Sequence, residues 1–160
     1  MADPDTLPYR PCAGIMIVNN AGRVFVGNRI DQQVEAWQLP QGGIDDGEDA
    51  VAAALRELTE ETGIAPANVS LIAEATGEFI YDLPAELIGK VWKGKYRGQR
   101  MRWFLFRFHG TDSDIDLDTE HPEFNMWQWV APSELVTLAV PFKRQLYADV
   151  LAALAHHLQD

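Results

Sequence analysis

Several segments of this chain have the apolar runs, or the alternation of apolar and polar residues with a period of two, that are typical of β-strands. An apolar run at residues 13–18 predicts a buried strand, and residues 23–29 alternate as a second strand after a turn at 19–22. Alternating acids and aliphatic residues at 114–118 predict a further strand at the wet edge of a sheet. The other predicted strands are residues 37–39, 69–75, 77–81, 101–109 and 125–130.

Other stretches repeat their apolar residues with the longer period of an α-helix. Val51, Leu55, Leu58 and Thr62 recur at the spacing of one helix face, which we expect to turn toward the core. Gly63 follows this stretch and is a suitable helix end. Strands with helices between them indicate an α/β protein. The remaining predicted helices are a short one from Ser133 and a C-terminal one over residues 143–158.

Acidic residues cluster at the end of the first predicted helix. Glu57, Glu60 and Glu61 are spaced i, i+3 and i+4 and therefore share one helix face. Like charges at this spacing cost roughly 0.2–0.5 kcal/mol per pair, and the C-terminal end of a helix dipole disfavours acids. Such a violation of local rules usually marks a functional site. Clustered carboxylates are stabilised by divalent cations, and all-oxygen ligands suit Mg²⁺ or Mn²⁺.

Length and composition predict a single domain over residues 1–160, expected to be a monomer. No apolar run approaches the roughly 18 residues that cross a bilayer, so no membrane partner is expected. The N-terminus lacks the basic start and apolar stretch of a secretory signal. Cys12 is the one cysteine, which excludes an internal disulfide and favours the reducing cytoplasm as the location.

Basic residues are concentrated in one segment of an otherwise acidic chain. The net charge of −11 argues against nucleic acid as a partner. Residues 90–103, however, contain six of the 13 basic residues together with Trp92, Tyr96 and Trp103. A basic loop carrying aromatics can bind phosphates and stack bases. The alternative is a solvated loop that only balances an acidic surface. The basic residues are Lys90, Lys93, Lys95, Arg97, Arg100 and Arg102.

The segment from Gly42 to Ile64 has a specific spacing of glycine, arginine and acids. It reads G-x5-E-x7-R-E-U-x-E-E-x-G-U, where U is aliphatic, and it resembles the Nudix box at residues 42–64. That box is the signature of hydrolases acting on a nucleoside diphosphate linked to another group. In this segment Asp45, Asp46 or Asp49 could cap the helix. Glu48 is either part of the site or only a favourable charge at the helix start.

The resemblance extends beyond the box to nearly the whole chain. The segments YRP, WQLPQGG, YDLP, GQR, HPEFNMWQWV and VPFKR are similar to the bacterial RNA pyrophosphohydrolase branch of the Nudix family. This branch is close to the plant-type dinucleoside polyphosphate hydrolases of the Ap4A type. Leu39 and Asp46 stand where the branch often has Phe and Pro, and neither is expected to touch the chemistry.

The resemblance implies a Nudix fold, which is a mixed sheet sandwiched between helices. It also implies Mg²⁺-dependent hydrolysis of a phosphoanhydride, with Mn²⁺ able to substitute. The implied substrate is 5′-triphosphorylated RNA, and the alternative is a dinucleoside polyphosphate. A third possibility, a non-catalytic nucleotide-binding regulator, would be expected to have lost box acids, which are all present here.

The resemblance also implies roles for individual residues. The implied catalytic residues are Glu57, as general base, and Arg56. The alternative for Arg56 is that it only pairs with neighbouring acids to hold the loop. The implied metal ligands are Glu57, Glu60, Glu61 and, from the PEF segment, Glu123. The implied substrate-binding residues are Arg10, Arg29, Gln99, Phe142 and Lys143.

Overall fold

Two long parallel strands form the middle of the molecule. The computed structural model describes residues 6–30, 35–120 and 122–158. Strand β1 (Tyr9–Val18) pairs in parallel with β7 (Gly98–Phe108) along its whole length, from Tyr9 opposite Gly98 to Val18 opposite Arg107. The turn between β1 and β2 (Val24–Arg29) is closed by the side chain of Asn19, which accepts from the backbone N–H of Ala21 and of Arg23.

The other strands extend this pair into a mixed sheet. The principal order is β3-β2-β1-β7-β5, where β4 also pairs with β1, β6 with β7 and β8 with β2. The strands not yet given bounds are β3 (Trp37–Gln38), β4 (Gln41–Gly43), β5 (Val69–Glu74), β6 (Phe79–Asp82) and β8 (Phe124–Val130). The predicted strands other than residues 114–118 are therefore present, with shifted ends.

Three helices cover the two faces of the sheet. Ile15, Ile17 and Phe104 point to the face covered by α1 (Ala50–Thr62). Met16 and Trp103 point to the opposite face, which α2 (Pro132–Leu138) and α3 (Arg144–Leu158) cover. Complete burial of each such side chain contributes about 1.5–3 kcal/mol. The division of the buried side chains of β1 and β7 between two clusters on opposite faces thus confirms the predicted sheet between helices.

Helix α1 begins and ends at sequence signals, but its buried face differs from the prediction. Asp49 caps it by accepting from the N–H of Ala52 at 3.0 Å, and Gly63 ends it in a left-handed conformation with φ of 74°. Val51 and Leu55 are only half-buried. The helix is rotated about its axis so that its small alanines, and not Val51 and Leu55, lie against the sheet. The same rotation brings Glu61 into the interior. The buried residues are Ala50, Ala53, Ala54, Leu58, Glu61 and Thr62.

Two other predictions are wrong in detail. The acidic stretch at 114–118 is not a strand, because Asp112–Asp114 form a 3-10 turn and the residues after it are irregular. The basic segment is a loop only up to residue 97, since Gly98 begins β7 and Trp103 is completely buried in the core. Arg102 pairs with Glu74, with a nitrogen–oxygen distance of 2.7 Å. No helix in the described ranges is long and apolar enough to span a bilayer.

Candidate active site

Arg56 of α1 ties the loop before the helix to the acids on it. Its guanidinium donates to both carboxylate oxygens of Glu48, at 3.0 and 2.9 Å, and to the carbonyl oxygen of Gly43 at 3.0 Å. The side-chain bonds from Arg56 lower the pKa of Glu48 to about 2. Its remaining nitrogen, Nη1, donates to Glu57 Oε1 at 2.8 Å and to Glu60 Oε2 at 3.5 Å. These contacts are those of a residue that holds the loop.

Glu57 projects from α1 against the backbone of β4. A Cβ atom on Gly42 would lie 2.0 Å from the carboxyl carbon of Glu57, so this close approach requires glycine. Burial raises the pKa of Glu57, opposed by the bond and the charge of Arg56. Its carboxylate therefore binds a proton more readily than an exposed glutamate would.

Glu61 is the most deeply buried acid of the site. Its side chain is 4% exposed, and Oε2 has no hydrogen-bond partner among the described residues. Burial raises the pKa of Glu61 well above its ordinary value, and the charges of Glu57 and Glu123 raise it further. The backbone N–H of Gln41 donates to the same carboxylate. Glu60, by contrast, is 51% exposed.

The donor set fits a hard divalent cation. Among the described residues, no three acidic, histidine or cysteine side chains are gathered closely enough to enclose an ion as they stand. Arg56 holds one oxygen of Glu57 in this arrangement. Nevertheless, the unpaired buried oxygen of Glu61 and the mutual repulsion of Glu57, Glu61 and Glu123 are features that an ion with oxygen ligands would relieve.

A cavity of about 410 Å³ is lined by Gln41 and Lys143, both of which interact with Glu61. Arg29 and Lys143 bring positive charge to its wall. Phe142 is 46% exposed at its edge, and its ring stacks on that of Tyr81 with centroids 6.1 Å apart. Cations beside an exposed aromatic ring are suited to a phosphate chain that carries a base. The remaining lining residues are Ala36, Gln38, Leu83, Leu87, Val91, Trp92 and Val140.

The sequence matches a known domain family over almost its entire length. Residues 8–150 match the NUDIX domain. The chain belongs to the Nudix family. A protein named RNA pyrophosphohydrolase from Sphingopyxis alaskensis is 61% identical over 151 residues, which are 94% of this chain and 96% of that protein. A protein of the same name from Roseobacter denitrificans is 57% identical over 152 residues, 95% of each chain.

Solved structures share the fold of this Nudix hydrolase. An Escherichia coli dihydroneopterin triphosphate pyrophosphohydrolase superposes with a TM-score of 0.71 at 20% identity, covering 93% of this chain and 99% of that one. A Caenorhabditis elegans Ap4A hydrolase superposes with a TM-score of 0.66 at 23% identity, covering 92% and 98%. At these identities the likeness concerns the fold alone.

The Nudix fold brings three of the five predicted substrate-binding residues together. Arg29, Phe142 and Lys143 line the large cavity although they come from distant parts of the chain. Arg10 lies over the ring of Trp92, 5.4 Å from its centroid, and lines a second cavity of about 290 Å³. Gln99 is only 1% exposed and lines neither cavity.

Sequence reasoning did not assign Tyr81, Gln38 or Gln41 to the candidate site. Tyr81 belongs to the cavity wall together with Trp92 of the basic segment, and Gln38 and Gln41 accept from the ammonium of Lys143 at 3.2 and 3.4 Å. The two glutamines belong to the quoted WQLPQGG segment, where polar residues interrupt an otherwise buried stretch. That interruption was the available signal.

Proposed function

We propose that this Nudix hydrolase removes pyrophosphate from the 5′-triphosphate end of RNA in a Mg²⁺-dependent reaction, in which Mn²⁺ can substitute. The observation that carries the proposal is the cavity that joins exposed Phe142 to Lys143, whose charge acts on buried Glu61 of α1. Relatives of at least 57% identity named RNA pyrophosphohydrolase support the choice of RNA. RNA as substrate and the reduced thiol of Cys12 support a cytoplasmic location.

Glu57, Glu60, Glu61 and Glu123 would hold the divalent ions. When bound, such ions polarise phosphate oxygens and lower the pKa of a coordinated water. Glu57 is the proposed general base, because burial raises its pKa toward the working range of a base. Arg56 engages Oε1 of this carboxylate, so Oε2 is the oxygen that would accept the proton. Arg56 itself serves as a positioning residue.

The cavity supplies the contacts to the rest of the substrate. Arg29 and Lys143 are the proposed phosphate ligands, and Phe142 with Tyr81 is the proposed stacking surface for the terminal base. Exposed Lys90, Lys93 and Lys95 lie in the loop before β7, and Val91 and Trp92 of the same loop line the cavity. In a chain of net charge −11, this loop is a suitable surface for the phosphates of following nucleotides.

A second candidate substrate is a dinucleoside polyphosphate. Two cavities lie on either side of the stacked pair Arg10 and Trp92, and each has an aromatic residue, Phe142 in one and Tyr96 in the other. A molecule with a base at both ends of a phosphate chain could use both. RNA uses the first cavity and the lysine loop instead.

A competition experiment tests the choice. Triphosphorylated RNA and Ap4A are offered together to the enzyme with saturating Mg²⁺, and both products are quantified. We expect RNA to be consumed first, and log kcat/KM for RNA to fall with log salt by a slope near 0.7 per contacted phosphate. Preferential consumption of Ap4A with a flat salt response would favour the second candidate.

Replacement of one glutamate of the Nudix box tests the proposed metal ligands separately from the choice of substrate. Glu57→Gln or Glu60→Gln should leave the protein folded and reduce turnover of either substrate by orders of magnitude, since both remove a proposed metal ligand. Near-normal turnover in either variant at saturating Mg²⁺ would contradict the proposed ligand set.

A further inference from the structure

The side chain of Gln99 is fully engaged inside the protein. It projects from β7, opposite Arg10 of β1, and is 1% exposed. Its carbonyl oxygen accepts from Nε2 of Gln41 at 3.2 Å, and its own Nε2 donates to the sulfur of Cys12 at 3.3 Å. Both ends of the amide therefore have protein partners, and neither faces a cavity.

Gln41 connects this buried amide to the reaction centre. Its side-chain oxygen accepts from the ammonium of Lys143 at 3.4 Å, and its backbone N–H donates to the carboxylate of Glu61. Gln41 also lines the large cavity. One residue of β4 thus contacts a proposed phosphate ligand through its side chain and a proposed metal ligand through its backbone.

The direction of every amide in this chain of contacts is determined by the lysine. An ammonium has three donors and no acceptor, so Gln41 must turn its oxygen toward Lys143. Its NH₂ group then faces Gln99, which must present its carbonyl oxygen. The NH₂ group of Gln99 consequently faces Cys12, whose sulfur can accept. Removal of the oxygen of Gln99 would leave the NH₂ group of Gln41 without this hydrogen-bond acceptor.

We propose that Gln99 is a positioning residue that acts through Gln41 on Lys143 and does not touch the substrate. The role differs from the substrate contact that the family resemblance implies for Gln99. It rests on the proposed function, because Lys143 is taken as a phosphate ligand. The part of Gln99 that matters is its carbonyl oxygen, whereas a direct contact to phosphate would use its NH₂ group, since phosphate oxygens only accept.

Two substitutions of Gln99 separate the two roles. Gln99→Met keeps the length and removes the oxygen, so kcat/KM for triphosphorylated RNA should fall about tenfold or more. Gln99→Glu keeps an oxygen that accepts from Gln41 and lacks the NH₂ group, so its kcat/KM should fall less than that of Gln99→Met. Met101→Leu, at the next residue of β7 that is buried on the same face, is the matched control for altered packing.

A double-substitution cycle tests whether the effect passes through Lys143. Gln99→Met should lower kcat/KM by less than about twofold in a Lys143→Ala background, because coupled residues are not additive. An undiminished effect of Gln99→Met in that background would overturn the proposal. So would a larger loss of kcat/KM in Gln99→Glu than in Gln99→Met. Gln99→Glu in the Lys143→Ala background provides the same cycle should Gln99→Met fail to fold. Inactivity of the wild type toward RNA would instead contradict the proposed function.

Discussion

Replacement of Gly42 by alanine tests how closely the backbone of β4 must approach the site. The added Cβ would lie 2.0 Å from the carboxyl carbon of Glu57 and 2.2 Å from its Oε2. Non-bonded carbon atoms require about 3.5–4.0 Å, so the carboxylate must move by roughly 1.5 Å. The backbone of Gly42 does not have the positive φ that would itself exclude alanine.

The expected consequence is a loss of turnover in a folded protein. A displacement of about 1 Å in a catalytic arrangement can reduce the rate roughly 100-fold, so we expect kcat to fall by at least that factor. The stability should fall by about 1–3 kcal/mol, as for other overpacked sites. Because Glu57 is partly exposed, its side chain has room to move away without disrupting the core.

Gly77→Ala is the matched control. Gly77 has a φ of 89° and nothing near its missing Cβ, so alanine there costs about 1–2 kcal/mol of backbone strain without touching the site. Urea unfolding measures the stability of both variants, and turnover is measured at saturating RNA and Mg²⁺. Both variants should lose stability, and Gly42→Ala alone should lose turnover. A folded Gly42→Ala variant with the wild-type kcat would refute the reasoning.

Further predictions concern the acids, their arginine and the stacking ring. Burial raises the pKa of Glu61 in the folded state, so the folded protein binds more protons than the unfolded one and loses stability as the pH rises through that pKa. Glu61→Gln should therefore be more stable than wild type at neutral pH in EDTA, with the difference vanishing below the ordinary carboxyl range in urea unfolding. Arg56→Lys loses the paired bonds to Glu48, so NMR titration should show the pKa of Glu48 rising from about 2 toward its ordinary value. An unchanged pKa would contradict that cause. Phe142→Ala should raise KM for RNA by about 5- to 150-fold, because stacking of one base contributes roughly 1–3 kcal/mol, whereas Phe142→Tyr should preserve KM. Equal KM values for the two variants would exclude base stacking at this ring.

Local signals in the sequence determined the elements of the site. Asp49 and Gly63 delimit α1 because capping and left-handed backbone depend on the neighbouring residues alone. The spacing of Glu57, Glu60 and Glu61 placed the acids on one side of that helix for the same reason. The strands β1 and β7 were likewise predictable, since continuous apolar runs are typical of strands buried on both faces.

The tertiary structure decided which of these residues are buried and which share a cavity. Glu60 and Glu61 are neighbours in sequence, yet one is exposed and the other buried, because the rotation of α1 depends on the sheet beneath its alanines. Gln99 lies in the interior because the parallel pairing of β1 with β7 places it near Cys12.

The cavity itself depends on contacts between distant segments. Arg29, Tyr81 and Lys143 meet there only because β2, β6 and the turn before α3 converge at one end of the central strands β1 and β7. The periodicity of a segment shows that its helix or strand has an apolar and a polar face. It contains no information on which distant element will cover the apolar face. That choice results from the summed packing of the whole chain.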